Sequence, residues 1–451
     1  MLGSRIYLVN SVSTIASIQK NNKTLAFEPI QAKFSARICG ASNEAYNILI
    51  KAMDVENGIY PEIYRAMHPS LAPGVGLDAM NRTMIQSVSR SIESIKPAVG
   101  SSTAIGLVSW LRHHVTLATT QAVYGPKNPF QDANVEGAFW EYEKEIPRLI
   151  FLPAWLASRG VRYRKVLIDA FEKYFESRSH EEGSALVKEF YASENAHGFS
   201  LRDSAAFEVG DAIAILANTS AAVFWMIFYV FSNPEALQDI RREVSTIVST
   251  STNESGQRTH RLDFTKVKTN CPILTSTFRE AMRLRSIGSS LRQVLKDTIL
   301  EDTYFLKKGG VILMPTVSVH TDPSVWGSDV EEFKHKRFIN DAKVSPAAFR
   351  SFGGGTTLCP GRHFSTTEIL AVTMMMVMQY DIKPVGPGGW VAPTVEKTNI
   401  ASVVMEPDQD IQVEVTNRSR VEDGEWVYQL TESEAVFAVA AEDRTESKLC
   451  N

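Results

Sequence analysis

Cysteine is scarce in this chain: four among 451 residues, Cys39, Cys271, Cys359 and Cys450, with no two in CxxC spacing. That excludes a zinc ribbon and a disulfide framework and fits a reducing compartment, so a cysteine that matters here acts alone. Charge of one sign is also missing. Forty-seven basic against 51 acidic residues give a net charge of −4, without the electrostatic footprint of a nucleic-acid binder. There is no GxxxxGK[ST] and no GxGxxG; the glycine run 353–355 is followed by Leu358 where a last glycine would be needed. Glycine and proline stand near average, which excludes collagen-like and low-complexity classes. The opening MLGSRIYLVNS carries only a short β-like run, Ile6-Tyr7-Leu8-Val9, and is neither a signal peptide nor a membrane anchor.

What is present is a sizeable core: 44% of the residues are hydrophobic. One run, Ala212 to Phe231, is uncharged over twenty residues and holds only Asn218, Thr219, Ser220 and Tyr229 as polar groups. Hydropathy alone reads it as a membrane span. Its flanks lack a Lys/Arg bias and its centre is polar, so a helix buried in a large core is the better reading. Polar groups inside such a helix need partners and are candidates for a site. Elsewhere, residues 1–40 read as short strands and connections, and helical periodicity dominates 43–285, clearest over 163–178 and 233–248. Strands and loops follow over 297–340, a helix after Cys359, and β-like alternation over 398–416. The segment 421–451 holds eight acidic and two basic residues and reads as a solvated, poorly ordered extension after a body spanning 1–420.

The strongest local signal is Phe352-Gly-Gly-Gly-Thr-Thr-Leu-Cys359-Pro-Gly361. Three glycines let the backbone turn tightly and approach something closely. Pro360 fits the first position of a helix, which places Cys359 at a helix N-terminus where backbone N–H groups favour a thiolate. A thiolate held by backbone donors beside a flat glycine surface suits axial ligation of a haem iron. Glu280 and Arg283 in FREAMRLR share a helix face, and Phe333-x-x-x-Arg337-Phe338 lies between them and Cys359.

With these motifs in this order, the chain resembles the cytochromes P-450, haem-thiolate monooxygenases, and most closely fungal members related to the steroid-hydroxylase and prostacyclin-synthase branch. The resemblance covers about residues 5–420. It implies a mainly α fold with small β-sheets, with haem b between a long central helix and the cysteine-ligand loop. It makes Cys359 the iron ligand, with Phe352, Gly353 and Gly361 around it, and Glu280, Arg283 and Arg337 a structural network. Leu216-Ala217-Asn218-Thr219-Ser220 matches the segment in which an acid–alcohol pair relays protons. Thr219 aligns with the alcohol, but Asn218 replaces the acid, and an amide cannot lose and regain a proton near neutral pH. Thr357 stands where the family often has Arg or His. For the haem propionates, Arg292 is in the expected place. Trp110-Leu-Arg112-His113-His114 resembles the family's Trp-x-x-x-Arg helix, and the sequence does not choose between Arg112 and His114. Lys334, His335, Lys336 and Arg362 would steer an acidic redox partner.

The implied activity is insertion of one oxygen atom from O2 into an apolar small molecule, a terpenoid, steroid-like or alkaloid intermediate of fungal secondary metabolism, with electrons from NADPH through a reductase. Two other readings stand beside it: a haem-thiolate isomerase or dehydratase of a peroxide, and a non-catalytic haem-binding protein. The expected assembly is a monomer. The resemblance implies the endoplasmic-reticulum membrane, while the sequence contains no N-terminal anchor, which leaves peripheral membrane contact, a cytoplasmic location or a truncated start.

Overall fold

The computed structural model describes residues 5–51, 53, 58–98, 100–339, 345–418, 424–431, 437, 439–440 and 443. Its organising element is the helix Leu201–Ser232, 32 residues long. Ser200 caps its start, accepting from the Asp203 N–H at 3.1 Å. Asn233 ends it and at once caps the next helix, Pro234–Ser245, accepting from Ala236 N–H at 3.1 Å. The central helix is apolar all round because it is packed all round: Val223, Phe224, Trp225, Met226 and Ile227 are all buried. The membrane-length run is therefore a core helix. Helices Leu107–Tyr124, Ser158–Glu176, Pro272–Arg285 and Arg362–Gln379 pack against it.

Among the described residues, four small sheets flank the helices. In the first, Ile6–Leu8 runs parallel to Val311–Pro315, which pairs antiparallel with Ser289–Val294 and through it with Leu25–Ala26. In the second, Gln412–Asn417 lies antiparallel between Tyr380–Pro384 and Ser102–Gly106. Thr298–Leu300 and Tyr304–Leu306 form a separate hairpin. The mainly α architecture with small sheets agrees with the reading from sequence.

Four local expectations differ from the structure. The described residues of 1–40 are mostly helical, as Val12–Lys20 and Glu28–Cys39, because Ile15 with Ile18 and Ala32 with Ala36 fall at helical spacing and are buried. The helix after the cysteine begins at Arg362 with Gly361 as its cap, so Pro360 belongs to the preceding turn. Over 398–416 only the end is a strand, Gln412–Asn417. Finally, the acidic segment is not wholly a solvated extension. Gly424–Gln429 pairs parallel with Arg258–Asp263, which also pairs with Val248–Thr252, and Trp426 against His260 and Tyr428 against Phe264 help hold it there. Asp443 is buried; residues 421–423, 432–436, 438, 441–442 and 444–451 lie outside the described residues.

Candidate functional site

Cys359 sits in a turn that only glycine could build. Gly353 has φ of 80°, and a Cβ there would lie 2.9 Å from the Thr357 carbonyl oxygen. The turn closes through Cys359 N–H donating to the Phe352 carbonyl at 2.9 Å. Burial raises the Cys359 thiol above its ordinary value, while hydrogen bonds from the Gly361 and Arg362 backbone pull it down. Those two donors are the elements a thiolate needs once a cation compensates the burial.

Above this turn lies a cavity of about 350 Å³. Cys359, Phe352, Gly353, Thr357 and Gly361 form its floor. One stripe of the central helix forms a wall: Glu208, Asp211, Ile215, Asn218, Thr219 and Ala222, spaced by three, four, three, one and three residues. That spacing keeps them on one helical face. Most of the remaining lining is apolar, including Met67, Leu71, Met80, Leu186 and Phe190. A haem fits these residues on two observations. A Cβ added at Gly361 would meet nothing within 4 Å, so the glycine leaves a flat open face, and the buried Ser351 hydroxyl on the cavity wall has no hydrogen-bond partner among the described residues.

Seven of the residues singled out from sequence line this cavity: Cys359, Phe352, Gly353, Thr357, Gly361, Thr219 and Asn218. Asn218 is occupied differently from a proton relay. Its Oδ1 accepts from the backbone N–H of Val403 at 2.8 Å and of Val404 at 3.2 Å, tying the central helix to a segment that itself lines the cavity. Arg292 lies directly behind the floor: its guanidinium donates to Thr357 Oγ1 at 2.8 Å and to the Leu291 carbonyl at 2.7 Å. The network beside the site is complete. Arg283 makes a two-pronged contact with Glu280 at 2.8 and 2.9 Å, and Arg337 reaches the same carboxylate at 2.9 Å.

Three expected haem contacts lie elsewhere. Trp110 and His114 stack on each other with centroids 4.4 Å apart, beside a small gap also lined by Val88, Ile92 and Val372. Arg112 stands 3.7 Å from Glu406 with its guanidinium over the Trp140 ring. Trp110 and His114 share one face of their helix and Arg112 points to nearly the opposite one, and none of the three lines the cavity. The basic cluster is likewise already neutralised. Lys334 pairs with Asp329, His335 and Lys336 with Asp239, and Arg362 with Asp443 at 2.7 Å. Sequence reasoning missed Arg350, which lines the cavity and donates to Ser290 Oγ at 3.2 Å; its place two residues before Phe352 was the available signal.

The comparisons with known proteins agree with this geometry. The family model described as Cytochrome P450 matches residues 64–413. The chain is 32% identical to the cytochrome P450 monooxygenase nodJ of Hypoxylon pulicicidum over 96% of its own length and 85% of that protein. It is 27% identical to a 25-hydroxycholesterol 7-alpha-hydroxylase of Rattus norvegicus over 82% and 92% of the two chains. Among solved structures, a retinoic acid bound cyanobacterial CYP120A1 superposes with a TM-score of 0.70 at 19% identity, covering 93% of this chain and 90% of that one. A thiol on a glycine-built turn, lining one cavity with a helix stripe and inside a family match of that extent, identifies the chain as a member of the cytochrome P450 family, a haem b-dependent monooxygenase supplied with electrons by a reductase.

Proposed function

We propose that this monooxygenase oxidises an apolar small molecule of fungal secondary metabolism. The observation that carries the reading is the placement of Cys359 and Thr219 together on the lining of one mostly apolar cavity. Haem b, which the Cys359 sulfur would hold, would supply the dioxygen activation that a thiolate-bound haem provides. The chain's own residues do the rest. The Gly361 and Arg362 N–H groups favour the thiolate against the burial that opposes it, and Gly361 keeps the floor flat. Thr219 presents a hydroxyl that can hold a proton donor or a water at Oγ1, in a buried setting that excludes bulk solvent. Asn218 acts by position, holding the 403–404 segment against the cavity. Arg350, and Arg292 through Thr357, place positive charge near the floor, where haem carboxylates require it.

An isomerase or dehydratase acting on a peroxide is the second reading, favoured by one observation: the Asn218 carbonyl is committed to the backbone, so no acid stands beside Thr219. We further propose a monomer that touches the endoplasmic-reticulum membrane through its body. The connection after the helix Ala133–Phe151 exposes Phe151, Leu152, Trp155 and Leu156 in succession, an apolar patch suited to a lipid surface.

The test is the carbon monoxide difference spectrum of the reduced protein beside Cys359→Ala. A strongly red-shifted Soret band that the variant lacks supports thiolate-ligated haem; a folded, haem-supplied protein without haem overturns the reading. Turnover that requires NADPH and reductase supports the monooxygenase, and turnover of a peroxide without either favours the isomerase.

A further inference from the structure

The central helix carries two acids into the cavity that the chemistry above does not use. Glu208 and Asp211 are three residues apart and both line the wall, about two helical turns or more before Thr219. Glu208 is 4% exposed and is held by the Tyr124 hydroxyl, which donates to its Oε1 at 2.8 Å. Asp211 has no such support: among the described residues it makes no hydrogen bond and no ion pair. It is withdrawn from bulk solvent yet keeps some free surface, the combination expected of a side chain on the wall of an internal cavity. Burial raises both carboxyls above their ordinary range.

The neighbours do not neutralise this pair. Cys39 packs against the same turn at Gly210, and Glu194 adds another acid. Arg164 directs Nη1 to the carbonyls of Arg37 and Ile38 at 2.9 and 3.0 Å and makes no ion pair with either acid of this pair. An unpaired buried carboxyl is costly, and a fold that retains one on a ligand cavity leaves its partner to come from the ligand.

We propose that Asp211, with Glu208 beside it, anchors a protonated amine of the substrate, so that the substrate is an apolar molecule carrying one basic nitrogen. This rests on the reading of the cavity as the substrate site and names its chemistry. Glu208, fixed by Tyr124, shapes the pocket's end and reinforces the field, while Asp211 makes the charged contact.

The test uses the haem-loaded protein and a matched ligand pair: a tricyclic aromatic bearing a dimethylaminopropyl arm, and its isostere with CH in place of the arm nitrogen. Calorimetric titration is expected to show the amine bound about tenfold or more tightly. Asp211→Asn abolishes that preference and leaves the neutral ligand's affinity unchanged, and Glu208→Gln reduces it. Asp211→Ser gives the same readout should the Asn variant misfold. Equal affinity for the two ligands in the native protein, or an undiminished amine preference in Asp211→Asn, overturns the proposal. The carbon monoxide band of the same samples reports separately on the haem reading, since calorimetry does not depend on turnover.

Discussion

The Arg292 guanidinium donates to the hydroxyl of Thr357, 2.8 Å away and two residues before Cys359. The position that often carries a second cation in this family is thus a small acceptor that orients a buried arginine. Thr357→Val leaves one N–H of Arg292 without its acceptor and is expected to destabilise the fold by about 1–3 kcal/mol. Urea denaturation of the haem-free and haem-loaded forms checks this; a variant as stable as the parent in both would show the contact to be idle.

Glu280 pairs with two arginines, of which Arg337 also pairs with Asp329, and accepts the Lys334 N–H at 3.1 Å. Glu280→Ala leaves Arg283, which is fully buried, without a counter-ion, at a cost of about 3–5 kcal/mol. The expected outcome is protein that fails to retain haem. Glu280→Gln, which keeps the acceptor oxygen and loses the charge, should fall between. Haem content per folded chain and the denaturation midpoint are the measurements.

Asn218→Ala removes the acceptor for two backbone N–H groups and frees the 403–404 segment. KM should rise about tenfold, with kcat changed less, because the segment lines the cavity without bearing the reacting atoms. Asn218→Asp keeps both acceptors and should leave KM close to the parent. A fall in kcat alone on Asn218→Ala would show the amide to act on the chemistry instead.

Glu368 is fully buried beside Thr119, whose hydroxyl lies 2.8 Å from its carboxyl, and burial pushes it up to about 8. Unfolded, the same carboxyl titrates near its ordinary value of 4.5. Between these values the folded state binds the extra proton, so stability falls as pH rises, by about 1.4 kcal/mol per unit. Glu368→Gln keeps a polar partner for Thr119 and has no proton to lose. Its midpoint relative to the parent should therefore climb steadily from pH 5 to 8; a difference independent of pH would contradict the assignment.

Sequence alone exposed the parts of this site that are written in short, spaced motifs. The turn around Cys359 needs glycines in fixed places, and Glu280–Arg283 needs one helical turn, so both can be read locally. Trp110 and His114 have a familiar spacing too, but spacing does not say which way a helix is rotated, and packing against Val88, Ile92 and Val372 turned that face away. Asn218 was legible as a departure and illegible as a function, because its partners lie some 185 residues further along. The strand Gly424–Gln429 escaped for the same reason: its parallel partner is remote in sequence, and acidic neighbours masked the aromatic pair. Glu208 and Asp211 were visible as members of the stripe that includes Thr219, had the periodicity been followed upstream of the apolar run.

The central helix has one more consequence. Asp211 and Thr219 belong to a single unbroken helix, eight residues apart, which fixes them about 12 Å from each other along its axis. Loops around the cavity can shift to admit ligands of different girth, but no loop movement changes this interval. With Asp211 as the proposed amine anchor, this interval is a rigid gauge for the substrate. Homologous amines that differ by one methylene between the nitrogen and the reacting carbon should be oxidised at neighbouring carbons, each at the same reach from the charged end.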